Sequence, residues 1–163
     1  MKTGFIAALA VSGCVIVSSC GETAEPQADA KATQAVAFVS GQSATDQLNA
    51  IRARAGQKPL VRSAALDAAA RAHVADLAAS GTFGHIGSNR STPGDRVTRA
   101  GYRWCTVAEN LGEGTLYNTE SKIIAGWANA PDHHRNIVKP KVTAFGLAQK
   151  GGIWVQVLAG NRC

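Results

Sequence analysis

The apolar residues of this 163-residue chain change their spacing near its C-terminus. Two short apolar runs, residues 143–149 and 153–159, are separated only by Lys150, Gly151 and Gly152. Two such runs joined by a glycine-rich turn are typical of a β-hairpin. The segments before them favour helices, so helices come first and strands last. This order predicts the α+β class, with helices packed on an antiparallel sheet.

Four helices are predicted upstream of the hairpin, the first two from an N-capping hydroxyl and a glycine stop. The third is predicted from a proline near its first turn and a glycine at its end, and the fourth from apolar residues that precede the break at Pro131. The second has the broadest apolar face and is the most strongly indicated. The predicted helices lie between Thr45 and Gly56, with Ser43 or Thr45 as N-cap, between Ser63 and Gly81, between Thr92 and Gly101, and between Thr119 and Pro131.

The N-terminus differs in composition from the rest of the chain. Residues 3–19 are uncharged and mostly apolar after Lys2, which predicts a signal peptide over residues 1–19. Glycines and serines interrupt the run, so a permanent membrane-spanning helix is the weaker interpretation. Residues 20–43 are rich in small and polar residues and are predicted to be a tether, which leaves residues 44–163 as the folded domain.

The segment Val17–Gly21 resembles the bacterial lipoprotein box, in which an apolar residue and two small ones precede a lipidated cysteine. The resemblance implies lipidation of Cys20 and a membrane partner reached through that anchor. A similar stretch ending at Cys14 is less favoured, because cleavage there leaves an apolar run of only about six residues. The expected localisation is an exported lipoprotein, periplasmic or on the outer face. A plain secreted protein with unmodified Cys20 is the alternative.

Two further cysteines, Cys105 and Cys163, are left for the domain. In an oxidising compartment they most simply form one disulfide. Closing a loop of roughly 58 residues would contribute about 4 kcal/mol on the chain-entropy model. Neither cysteine has the Cys-x-x-Cys spacing of a metal site, so metal binding by this pair is the weaker interpretation.

The net charge is +6, and removal of a leader with Lys2 and no acid leaves about +5. The basic residues are scattered along the chain and form no Lys/Arg run. Nucleic acid is therefore not expected as a partner, while loose attraction to an anionic envelope surface is compatible with the charge.

Nine short stretches occur in an order that resembles the bacterial branch of the CAP superfamily, the cysteine-rich secretory, antigen 5 and pathogenesis-related proteins. The resemblance covers roughly residues 45–160 and implies an α-β-α sandwich with a central antiparallel sheet. The stretches are 66–78, 83–85, 91–97, 100–102, 108–111, 126–127, 131–133, 136–138 and 154–157.

The resemblance also implies a cleft lined by two histidines and two acidic residues. His85 and His133 match the histidines, and Glu109 matches the acid of a Glu-Asn motif. Ala130 stands where the family has its second acid, so the acidic set is incomplete. Two imidazoles and a carboxylate suit a divalent metal such as zinc.

His85, Glu109 and His133 are thus the candidate metal ligands and the candidate catalytic residues of a metal-dependent hydrolase. The same group could instead only hydrogen-bond across a groove. His73 and Asp76, three residues apart on one helix, predict a structural pair, and His134 is expected to be exposed and a back-up ligand. The serines near these residues lie in no Gly-x-Ser-x-Gly motif, which disfavours a serine hydrolase.

Aromatic residues offer a different hypothesis for the site. The resemblance implies an apolar groove for a lipid or sterol, although core packing is favoured for Trp127 and Trp154. The leading hypothesis is a non-enzymatic binding module at the cell envelope with a lipid or envelope ligand. A hydrolase of peptide or envelope polymer and a vestigial structural cleft are the alternatives. The aromatic candidates are Tyr102, Trp104, Tyr117, Trp127 and Trp154.

Overall fold

The structure is a computed structural model that describes residues 42–163. The predicted signal peptide, the lipidation site Cys20 and nearly all of the predicted tether lie outside the described residues. The elements in chain order are α1 (Ala44–Arg54), β1 (Val61–Arg62), α2 (Ala64–Ser80), α3 (Pro93–Arg99), β2 (Thr106–Glu113), α4 (Glu120–Asn129), α5 (Pro131–Ile137), β3 (Ala144–Lys150) and β4 (Ile153–Gly160).

Hydroxyl side chains begin four of the five helices, as the sequence predicts for the first two. Ser43, Ser63, Thr92 and Thr119 each accept a hydrogen bond from a backbone N–H in the first turn of α1, α2, α3 and α4. Such caps satisfy donors that have no partner inside the helix. Gly81 ends α2 in the left-handed conformation with a φ of 67°, which glycine adopts without strain. The four predicted helices are confirmed.

The sheet contains four strands in the order β1-β3-β4-β2. The predicted hairpin is confirmed as β3 and β4, and β2 pairs antiparallel with β4 at the edge of the sheet. The two-residue β1 adds a short parallel pairing to β3. Neither β1, β2 nor the helix α5 is predicted by the sequence pattern. The class is nevertheless the expected α+β.

Helices cover both faces of the sheet, which gives the α-β-α sandwich. One core lies between the sheet and α2 with α3, and the other lies between the sheet and α1, α4 and α5. Strand alternation divides β4 between them: Val155 and Val157 face the first core, while Trp154 and Leu158 face the second. Trp127 and Trp154 are both buried, so their predicted core packing is confirmed.

A fully buried arginine ties α1 to the chain that follows α5. The guanidinium of Arg52 donates to the carbonyl oxygens of Lys58 at 2.6 Å, Ile137 at 2.7 Å, Lys139 at 3.1 Å and Val142 at 3.2 Å. Burial lowers the pKa of Arg52. Four carbonyl acceptors offset that cost, because a buried charge is tolerated only when its donors are bonded. This clamp fixes the end of the helix that bears His133.

The predicted disulfide is confirmed. Cys105 is bonded to Cys163, with Cα atoms 5.2 Å apart. Cys105 immediately precedes β2, and its backbone N–H donates to the carbonyl of Gly160 at 2.8 Å. The C-terminal residue is therefore covalently attached beside the start of the edge strand. Among residues 42–163, none of the helices is both long and apolar enough to span a membrane.

Gly146 provides a test of how closely α2 approaches the sheet. A Cβ at this position of β3 would lie 2.1 Å from the carbonyl carbon of Leu66 and 2.2 Å from the backbone nitrogen of Asp67. Backbone atoms cannot rotate away, so Gly146→Ala is expected to lower the free energy of unfolding by about 2 kcal/mol or more. Urea unfolding followed by circular dichroism measures this. Gly84→Ala is the matched control, because its Cβ meets nothing within 4 Å. Equal unfolding midpoints for the two variants would contradict the close contact.

Candidate functional site

The site is built around two successive residues of the edge strand, Glu109 and Asn110. Side chains alternate across a strand, so these two neighbours enter opposite layers of the sandwich. Glu109 turns toward the layer of α2 and α3, where it meets Arg96. Asn110 turns toward the layer of α4 and α5, where it meets Asn136. One point on β2 therefore organises both sides of the cleft.

The carboxylate of Glu109 is almost fully buried, with 5% of the residue exposed. Its Oε2 accepts a hydrogen bond from Nη2 of Arg96 at 2.8 Å, and its Oε1 accepts one from Nδ1 of His85 at 2.9 Å. Nε2 of His73 lies 3.6 Å from the same Oε1. Both oxygens are thus engaged, as burial of a charged group requires.

Arg96 fixes the loop that presents His85. Its guanidinium also donates to the carbonyl oxygen of His85 at 2.9 Å and to that of Ser91 at 2.7 Å. The short helix α3 holds Arg96 in place through a capping box between Thr92 and Asp95. Arg96 lies within one of the family-like stretches, residues 91–97, but its role in the site was not predicted from the sequence. Its position in a capped helix just after the His85 loop was the available signal.

His85 bridges the buried network and the solvent. Nδ1–H donates to Glu109, while 56% of the side chain is exposed, so Nε2 is open to a ligand. The hydrogen bond to Glu109 raises the pKa of His85, and it outweighs burial and the charge of Arg96, which act in the opposite direction. His85 is therefore the more easily protonated of the two cleft histidines.

His133 enters from α5 and is held through the backbone. Nδ2 of Asn110 donates to its carbonyl oxygen at 3.2 Å and to Oε1 of Gln156 at 2.9 Å. Asn136 completes the network by donating to Oδ1 of Asn110 at 2.8 Å. Burial lowers the pKa of His133, and the charge of His85 lowers it further. His85 thus lies near enough to disfavour a second charge in the cleft.

The other predicted histidine contacts differ from expectation. His73 is buried and structural, but its Nε2–H donates to the carbonyl of Gly84 at 2.9 Å, and Asp76 instead accepts from the backbone and hydroxyl of Ser88. The predicted hydrogen-bonded His73–Asp76 pair is therefore wrong, although both residues are on α2. His134 is half-buried and contacts the carbonyl of Ala128 at 3.1 Å through Nδ1.

A groove of about 270 Å³ opens beside His133 and is lined mainly by apolar side chains. Ala130, at the position of the second family acid, contributes a methyl group to it. Tyr117 and Trp127 from the predicted aromatic set line the groove, whereas Trp104 does not. We call this cavity the apolar groove. Its lining residues are Phe83, Leu111, Gly112, Glu113, Tyr117, Ile123, Gly126, Trp127, Ala130 and His133.

The predicted metal set fits only in part. Within residues 42–163, no group of three or more His, Cys, Asp or Glu side chains is arranged to hold a metal ion. Glu109 accepts hydrogen bonds from Arg96 and His85 on its two oxygens, which favours a role in orienting His85 over direct ligation of a metal. The imidazoles fit better, because a carboxylate that accepts from Nδ1–H of His85 leaves Nε2 for a metal. Zinc at this site remains a prediction.

Residues 45–153 match the family model described as CAP, the cysteine-rich secretory protein family. The chain belongs to this family. This CAP domain is also similar to an uncharacterized Bacillus subtilis (strain 168) protein, YkwD, with 30% identity over 115 residues. The match covers 69% of this chain and 44% of YkwD, so it spans less than half of that relative.

Solved structures agree with the fold. An extracellular protein containing a SCP domain from Bacillus anthracis matches with a TM-score of 0.67 and 22% identity, over 72% of this chain and 39% of that one. An outer surface protein from Borrelia burgdorferi matches with a TM-score of 0.63 and 16% identity, over 72% of this chain and 90% of that one. These likenesses show that the domain has the CAP fold.

Glu109→Gln tests the buried network. The change keeps the side-chain shape but leaves the buried Arg96 without its counter-charge, so the free energy of unfolding should fall by about 3 kcal/mol. Glu113→Gln removes the same charge from an exposed position of the same strand and should cost less than about 0.5 kcal/mol. Chemical denaturation compares the two. Equal losses would show that the pair with Arg96 contributes nothing specific.

The titration of His85 in Glu109→Gln gives a second measurement of the same network. Because the pKa of His85 in the folded protein is raised above the ordinary histidine value, its bond to Glu109 stabilises the fold fully below about pH 6.5. That contribution is lost as pH rises through the folded pKa. NMR titration should show the His85 pKa falling in Glu109→Gln. An unchanged His85 titration would contradict the assigned cause.

Proposed function

We propose that this chain is an exported CAP-domain protein, held at the cell envelope by a lipid anchor, that binds an apolar ligand without catalysing a reaction. The observation that supports this most directly is the state of Glu109. Its two carboxylate oxygens accept hydrogen bonds from the buried Arg96 and from His85, an arrangement that supports a structural role for Glu109 rather than that of a general base. The groove beside His133 is mainly apolar, as a binding site for hydrocarbon requires.

The shape of the apolar groove indicates the ligand class. Its volume of about 270 Å³ is near the lower end of ordinary small-molecule pockets, so it suits one acyl chain rather than a bulky ring system. His133 supplies a polar contact for a headgroup. Phe83, which lines the groove, is exposed, and so is Leu116, which precedes the lining residue Tyr117; both would cover more of the acyl chain. A single-chain lipid is the ligand that this arrangement favours.

Export is supported by three kinds of observation. The first 19 residues have the pattern of a signal peptide, and Cys20 follows a lipoprotein-like box. Proteins of similar structure include an extracellular protein, an outer surface protein and a cysteine-rich secretory protein from Staphylococcus aureus. The disulfide between Cys105 and Cys163 fits an oxidising compartment.

A metal-dependent hydrolase is the second candidate, and the free Nε2 of His85 is the observation that favours it. With His133, it would offer two imidazoles to a zinc ion, and Glu109 would orient His85 from behind. Zinc in such a place supplies an activated water. The protein's own contribution would be to position the two rings.

Ala130→Phe tests the apolar groove with cis-parinaric acid, a fluorescent fatty acid, as the probe. The ring would fill the cavity, so binding should weaken by about tenfold or more. The backbone at Ala130 is extended, a conformation that phenylalanine adopts freely. Ala72→Phe adds the same ring at an exposed position of α2 outside the groove and should leave affinity unchanged. Fluorescence titration of both variants measures this.

Two results would contradict the binding proposal. One is equal parinaric acid affinity in Ala130→Phe and wild type, which would place the ligand elsewhere. The other is zinc-dependent cleavage of a peptide or envelope polymer that disappears in His133→Ala, which would favour the hydrolase.

Cys20→Ser tests the anchor. Without the thiol of residue 20 the protein cannot be lipidated at that position. The acyl chains of the lipid are what would hold the protein on a membrane. The variant should therefore move from the membrane fraction to the soluble fraction in cell fractionation. Cys14→Ser is the matched control and should stay with the membrane. Retention of Cys20→Ser in the membrane fraction would contradict the proposal of a lipid anchor at Cys20.

A further inference from the structure

Trp104 differs from the other two tryptophans in its exposure. It lies between α3 and β2 with 40% of its surface exposed, compared with 2% for Trp127 and 6% for Trp154. Exposing an indole is unfavourable unless something covers it, and large aromatic side chains are enriched at binding surfaces. Trp104 does not line the apolar groove, so the function proposed above does not use it.

The indole of Trp104 is held in one orientation. Its Nε1–H donates to the hydroxyl of Thr98 at 2.9 Å. Gly94 of α3 lies directly against the six-membered ring, where a Cβ would be only 2.7 Å from Cζ2. A side chain fixed at two points presents its exposed face without further loss of rotamer freedom on binding.

Two open grooves meet at this tryptophan. One, of about 380 Å³, is lined by the start of α3 and by Val107 and Ala108. The other, of about 390 Å³, is lined by Thr98, Gly101, Tyr102 and Arg103, and Trp104 forms a wall of both. We call Trp104 with its two grooves the Trp104 ridge. A ridge between two open grooves fits an extended polymer better than an enclosed small molecule.

Three arginines are close to the Trp104 ridge along the chain or across the disulfide. Arg103 lines one of the two grooves, Arg99 follows Thr98, and Arg162 precedes the cysteine bonded to Cys105. Asp95 is the acidic residue that lines the other groove. All three arginines are exposed, and none takes part in the ion pairs formed among residues 42–163. The nearby carboxylate of Asp95 accepts from the backbone and hydroxyl of Thr92.

We propose that the Trp104 ridge binds an anionic polysaccharide, with a sugar ring stacked on the indole and acidic groups paired with the arginines. The apolar C–H face of a sugar ring matches the flat face of Trp104, and the hydroxyls of Thr92 and Thr98 border the two grooves. Arginine pairs well with carboxylates and phosphates because its donors form a planar fork. This site is separate from the apolar groove and does not depend on the proposed function.

Acrylamide quenching on the full chain tests the proposal with polygalacturonate as the probe. Trp127 and Trp154 are buried, so quenching of tryptophan fluorescence reports mainly on Trp104. Polygalacturonate should protect the fluorescence, whereas neutral dextran and polyglutamate should protect it far less. Equal protection by polyglutamate would overturn the sugar contact, and equal protection by dextran would overturn the role of the arginines. No protection by polygalacturonate would overturn the proposal as a whole.

Variants measured by calorimetry add an independent check. Trp104→Ala should weaken polygalacturonate binding about tenfold or more, and Arg103→Gln about threefold or more. Arg54→Gln removes the same charge from an exposed position of α1, in the helix layer on the other face of the sheet, and should change affinity less than twofold. Thermal unfolding shows whether each variant is folded. If Arg103→Gln and Arg54→Gln lowered the polygalacturonate affinity equally, binding would depend only on the net charge of the protein. That result would contradict a specific site at the Trp104 ridge.

Discussion

The buried ion pair between Glu109 and Arg96 is the contact on which the cleft depends. A carboxylate at an almost fully buried position of an edge strand requires partners on both oxygens, and Arg96 and His85 supply them. Arg96 in turn binds the carbonyl groups of the loop that holds His85. Replacement of a buried pair by apolar residues often preserves stability, so its significance here lies in the geometry that it imposes. The pair converts a loop without regular structure into a fixed wall of the cleft.

The opposite wall is fixed by neutral amides and by an arginine without a carboxylate partner. Asn110, Asn136 and Gln156 form a hydrogen-bonded group between β2, α5 and β4. Arg52 holds the chain after α5 through carbonyl oxygens. His133 therefore sits on a short helix secured at both its sheet-facing side and its end. The two histidines face one cleft because separate networks position them from opposite layers.

Local signals in the sequence were enough for the helices with hydroxyl caps and for the β3–β4 hairpin. The signals failed where tertiary partners decide the outcome. Strand β2 contains Glu109 and Asn110 at buried positions, so its pattern lacks the apolar alternation of an ordinary strand. Pro131 ends the predicted fourth helix but also begins α5, because proline is well tolerated in the first turn of a helix.

The site shows the same division between local and tertiary information. Resemblance to the family selected His85, Glu109 and His133, and the structure brings His85 and Glu109 into direct contact. The role of Arg96 depends on a partner 13 residues away on another element, which no local pattern reveals. His73 and Asp76 have helical spacing for a pair, yet the loop after α2 supplies a separate hydrogen-bond partner to each.

The alternation of Glu109 and Asn110 restricts how this domain can change over evolutionary time. Insertion or deletion of one residue in the preceding part of β2 would shift the register and exchange the two side chains between layers. The carboxylate of Glu109 would then face Asn136 and Gln156, and the amide of Asn110 would face Arg96. Both walls would fail together, so neither can be tuned by changing the length of that strand. Variation in what such a domain binds is instead open to the loops at residues 83–86 and 114–119, where length can change without moving the strand pairing.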